Sequence, residues 1–131
     1  MSAIDMMGWP VVIVSFNYPA TDQDAEIWLH NLSVLLTKKQ AFTMVIQAKP
    51  SSEFSPEARK QLGLWFKDNR QRLGDYCRGV ARQVQSSEEG ERVVSPNMQK
   101  AMPFPMKAFL EWEQARDWAL ERLEQNTVLL D

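Results

Sequence analysis

Cysteine and histidine are almost missing from this chain, with Cys77 and His30 the sole examples of each. A disulfide needs two thiols and a Cys/His zinc centre needs several ligands, so disulfide frameworks, CxxC redox pairs and zinc sites of that kind are excluded within one chain. A single thiol fits a reducing compartment, and the cytoplasm is the expected location. Glycine is sparse as well: none lies between Gly8 and Gly63, which excludes the glycine nest of a P-loop there. Positive charge is not in surplus, since 15 Lys and Arg face 17 Asp and Glu for a net charge of -2. Nucleic-acid binding draws much of its affinity from phosphate neutralisation, so no DNA or RNA partner is expected. Long apolar runs are absent too. The longest purely aliphatic stretch is "VVIV", and "MSAIDMMGWP" carries neither a basic leader nor an apolar stretch of signal length, so neither a membrane span nor an export signal is expected.

What remains is the composition of a folding chain. Hydrophobic residues at 44% and charged residues at 24% exclude the polar, highly charged make-up of disorder, and 131 residues suit one domain over 1–131. "WPVVIVSFNYP" is a β-branched run bounded by prolines and reads as a central strand. In the stretch after it Thr21 and Asp24 resemble a capping box, and Ala25, Trp28, Leu29, Leu32, Leu35 and Leu36 recur at helical spacing. "AFTMVIQA" is a second buried strand, and Ser55, Pro56 and Glu57 are cap, first-turn proline and dipole partner of a helix running past Leu73. A less buried strand is expected over 79–85, with Cys77 just before it, and a solvated loop over "SSEEGE". "PFPMKAFL" reads as an edge strand because proline cannot serve a central ladder, and "EWEQARDWALERLEQ" as an amphipathic last helix. Alternating strands and helices predict an α/β fold with one mostly parallel sheet of four or five strands and helices packed on it. The five tryptophans are assigned to its core.

No catalytic constellation is legible. His30 stands midway along the first helix next to Leu29 and reads as a surface or boundary histidine, and Cys77 beside Arg78 reads as a buried structural thiol. Acidic pairs such as Asp22 with Asp24 and Glu88 with Glu89 read as caps and loop charges, so neither metal nor cofactor is assigned. Arg82 is harder to place: it interrupts "GVARQV", and a charge there must reach solvent, a carboxylate or an anionic ligand. Charge is segregated along the chain. From Pro56 to Arg82 seven basic residues meet three acidic ones, whereas from Leu110 onward six acidic residues meet two basic ones. Such opposite patches favour oriented association with an acidic partner or with a second copy.

The segments "PVVIVSFNYPATDQD", "AFTMVIQAKP", "LWFKDNRQRLGDYCRGVARQV" and "FPMKAFLEWEQARDWALERL" resemble, in hydrophobic pattern and in the anchors Trp65, Cys77 to Ala81 and Ala115 with Trp118, the small bacterial STAS proteins of the SpoIIAA-like branch. The resemblance implies a single STAS-like domain and a regulatory role through protein–protein contact. In anti-sigma-factor antagonists of that group a serine at a helix N-terminus is phosphorylated, and the matching stretch here, "KPSSEF", offers Ser51 and Ser52, with Ser55 after them. It has no aspartate before those serines and no glycine after them.

The expectation is therefore a non-catalytic regulatory or accessory module. It binds another protein, an acidic one being the expected candidate, through the basic helix after Pro56 and the loop before it. The contact residues expected are Lys49, Arg59, Lys60, Lys67, Arg70 and Arg82. A homodimer is expected from the apolar tail Val128 to Leu130, placed after the last helix. Two rival readings are a carrier for a small molecule or lipid and an enzyme of unrecognised type.

Overall fold

A computed structural model describes residues 3–49 and 54–129, with side chains described as far as Glu124 in the last helix. Five strands form one sheet whose spatial order is the chain order: β1 (Ile4–Met7), β2 (Val11–Phe16), β3 (Phe42–Ala48), β4 (Cys77–Gln83) and β5 (Met106–Phe109). β1 runs antiparallel to β2, and β2 to β5 are parallel. Between them come α1 (Asp22–Leu36), α2 (Pro56–Asp68), α3 (Arg70–Tyr76), α4 (Ser87–Val93) and α5 (Pro96–Ala101), and α6 (Trp112–Leu129) follows β5. The α/β class and the mostly parallel sheet expected from sequence are what the chain forms.

Each parallel crossover steps to the next strand in the same direction, and a right-handed crossover then puts its helix on the same face every time. That first face holds the main core. Val12, Val14 and Phe16 of β2, Phe42, Met44 and Ile46 of β3 and Val80 of β4 meet Trp28, Leu29, Leu32 and Leu36 of α1 and Leu73 of α3. Alternation sends Val45 and Ala81 to the second face, where they meet Ala115 and Ala119 of α6. Alanine at three of these four positions lets helix and sheet approach closely. α6 covers β3 and β4 and leaves much of β1 and β2 open on that face: Met7 is 63% exposed, and Ile13 and Ser15 are half-buried.

Local chemistry explains the element boundaries. Thr21 Oγ1 accepts the Asp24 N–H at 3.1 Å while the Asp24 carboxylate accepts the Thr21 N–H at 2.9 Å, so the expected capping box opens α1. Gly8 turns β1 into β2 at φ +88, and a Cβ there would stand 2.7 Å from the Val11 carbonyl oxygen.

Five details depart from the sequence reading. β1 is an additional strand: its four residues are too few to show a period, and only pairing with β2 defines them. β4 begins at Cys77 and is flanked by β3 and β5, so it is an interior strand. "SSEEGE" belongs to α4, because Ser86 caps it and Glu89 accepts the Gln85 N–H at 2.8 Å. The helix from Pro56 breaks at Asn69, which caps α2 and begins α3. Finally, α6 continues to Leu129, so Val128 and Leu129 are helical and are not a tail beyond the helix.

Candidate partner-binding groove

Ser55 behaves as the cap its position implies. Its Oγ accepts the Ala58 N–H at 3.1 Å and donates to Asp22 Oδ1 at 2.5 Å, which ties the starts of α2 and α1 together. Both roles of the hydroxyl are occupied, and a phosphate there would face the Asp22 carboxylate. Ser51 and Ser52 lie outside the described residues.

From that cap α2 runs with Ala58 buried, Leu62, Trp65 and Phe66 half-buried, and Arg59, Lys60, Lys67 and, just past its end, Arg70 exposed. The indole Nε1 of Trp65 donates to Ser33 Oγ at 2.9 Å, and Asn69 Nδ2 donates to the Trp65 carbonyl at 2.9 Å, so the helix is pinned to α1 and stopped at Asn69. Beyond the bend, Arg70 Nη1 donates to the carbonyl of Ala101. This contact brings 101–103 alongside α2 and closes a groove of about 410 Å³. Leu62, Phe66, Met102 and Pro103 supply its apolar surface, and Arg59, Lys67 and Arg70 are the cations at it. Arg59 is held by its Nε–H on the Phe54 carbonyl at 3.2 Å.

Three of the predicted contact residues thus converge. Lys60 is on α2 but does not line the groove. Lys49 lies at the C-terminal end of β3, beside a polar crevice of about 290 Å³ lined also by Ser15, Gln47, Gln83 and Gln85. Arg82 is in β4, in register with Ile46 and Ala108, away from the surface of α2. Burial lowers the pKa of Arg82 from its ordinary value; Glu89 opposes that shift and Arg92 adds to it.

Sequence reading missed two things here. Nothing local in the sequence signals that Met102 and Pro103, far along the chain, complete a groove with Leu62 and Phe66. The polar row Ser15, Gln47 and Gln83, in register across β2, β3 and β4, was also missed. Its signal was present as polar residues closing three apolar runs, with Gln47 Nε2 donating to Ser15 Oγ at 2.8 Å.

The other candidates keep their plain roles. Cys77 is buried, its thiol pKa pushed up to about 12 chiefly by burial, with the Gly79 carbonyl and Arg78 as lesser, opposing influences. His30 is exposed on α1. Among the described residues no group of three His, Cys, Asp or Glu side chains could hold a metal ion, and no helix is long and apolar enough to cross a membrane. No family model, curated protein or solved structure matches this chain.

Proposed function

We propose that this chain is a non-catalytic regulatory module of the STAS, SpoIIAA-like type. In this reading it binds another protein through α2 and the segment 101–103. The observation that carries the proposal is the groove with an apolar floor and three cations, Arg59, Lys67 and Arg70. Apolar contact supplies affinity, and charges around it select an acidic partner and set orientation. The α/β sheet is compatible with the resemblance, and Ser51 and Ser52 shortly precede the cap residue of α2 in sequence, where added charge can bias binding.

The test is affinity capture from extract of the native host with the wild type, with Lys67→Glu/Arg70→Glu, and with Lys60→Glu as a control on the same helix outside the groove. Proteins enriched by the wild type and by Lys60→Glu, and lost from the double variant, are the expected result. Equal capture by all three removes the groove from the proposal. The same apolar floor favours a second reading, a carrier of an amphiphilic anion. Native mass spectrometry of freshly purified protein separates the two, because only a carrier retains a small molecule.

A further inference from the structure

Arg82 occupies a position where a cation needs an explanation. β4 is an interior strand, and Val80, two residues before Arg82, faces the main core; alternation turns Arg82 to that same helix-covered layer. The residue is half-buried, and its Nε–H is buried with no acceptor. Its guanidinium makes no hydrogen bond or ion pair with any described residue. Its terminal nitrogens are not among the buried unpartnered atoms, so they reach the molecular surface.

The helix that follows β4, α4, carries Glu88, Glu89 and Glu91 with a single arginine, Arg92. The charged groups Arg82 senses are Glu89 and Arg92 of α4, one of each sign. Glu89 accepts the Gln85 N–H as part of the α4 cap, and its carboxylate keeps its charge and favours the Arg82 cation without bonding to it. A second donor in the same layer is also unsatisfied: Trp28, 4% exposed and packed on Phe16, has a buried Nε1–H with no acceptor. A buried unsatisfied donor is costly, and a charged one more so, whereas a charge-assisted bond to an oxyanion is among the stronger interactions available.

We infer that Arg82 anchors a site for the phosphate or carboxylate group of a small molecule on the α4 side of the sheet. The guanidinium fork suits either oxyanion, since both present paired oxygens to parallel N–H donors. The site is separate from the α2 groove and does not depend on the protein-binding reading.

The experiment is a titration of ¹⁵N-labelled full-length protein with inorganic phosphate and, separately, with acetate, at ionic strength held constant with sodium chloride. The Arg82 Nε–H resonance, assigned with Arg82→Gln, should shift saturably with at least one of the two anions. Which one does so identifies the headgroup. Arg82→Gln should weaken binding at least about tenfold, while Lys67→Glu/Arg70→Glu should leave it unchanged. Arg82→Met should melt no lower than the wild type without anion, because it removes an unpaired charge, and phosphate or acetate should then raise the Tm of the wild type alone. No saturable shift with either anion overturns the site. So does binding lost from Lys67→Glu/Arg70→Glu, or a marked fall in Tm for Arg82→Met, which would mark Arg82 as structural.

Discussion

At Gly79 a Cβ would stand 3.0 Å from Trp118 Cη2, 3.1 Å from Cζ3 and 3.4 Å from Arg122 Cγ. The ring cannot retreat freely, because Phe109 packs on it at 5.9 Å and the Arg122 guanidinium lies 6.0 Å from it. Gly79→Ala should therefore lower stability by about 1–3 kcal/mol through overpacking, even though alanine is the better strand residue. Urea unfolding of Gly79→Ala, alone and with Trp118→Leu, checks this: the smaller side chain should recover much of the loss, and strict additivity would place the strain elsewhere. Cys77 makes a second test at this scale. With its thiol raised from 9.0 to about 12, it stays protonated in the folded protein while the unfolded chain ionises. The folded state then holds more protons above pH 9.0, so stability from this group is complete below that pH. It falls by about 1.4 kcal/mol per pH unit above it. The difference between wild type and Cys77→Ala, followed by urea midpoint from pH 8 to about pH 10, should show that slope. In the native state the thiol should resist Ellman's reagent, reacting only when the protein unfolds.

Helix starts dominate the element scale. The hydroxyl of Ser55 serves two helices, accepting from Ala58 of α2 and donating to Asp22 at the start of α1. Ser55→Ala should cost about 1 kcal/mol. Asp22→Ala should cost less, and the two together should be non-additive, since each removes the same contact. Thermal denaturation of the three variants measures the coupling; simple additivity would show that the link between the helices carries no weight. The bend at Asn69 shapes the groove, because it lets Arg70 leave the line of α2 and reach the Ala101 carbonyl. A straight helix would have kept the basic residues on one continuous face with no groove beside them.

Across the whole molecule the charge segregation seen in sequence becomes a separation of faces. α2 and α3, with their exposed basic residues, lie over the first face, and α6, with Glu113, Asp117, Glu121 and Glu124 exposed, lies over the second. Association by this charge pattern is head to tail, because a two-fold contact through either face sets like charge against like. Sedimentation velocity should accordingly show weighted mass rising with concentration at low salt and collapsing toward the monomer as salt is added. A single salt-independent species at all concentrations would remove charge as the basis of self-association. A salt-independent dimer would favour instead the apolar open half of the second face around Met7 and Ile13.

What the amino-acid order determined by itself was local and periodic. The β-branched runs from Val11 and Phe42 could bury both faces only as interior strands, Thr21 with Asp24 and Ser55 with Pro56 could only open helices, and Pro105 could only stand beside an edge strand. These signals act over a few residues, and together they imply the α/β class. The four-residue β1 and the extra turn of structure at Ser86 depended on partners supplied by neighbouring chain. Tertiary structure alone decided which predicted contacts share a surface. Lys67 and Arg70 meet Met102 and Pro103 across more than thirty positions of sequence, whereas Lys49 and Arg82 are carried to other parts of the sheet. It also decided that Arg82 lies in an interior strand, its Nε–H enclosed and unpaired, because strand order is set by the packing of distant segments and no local pattern records it.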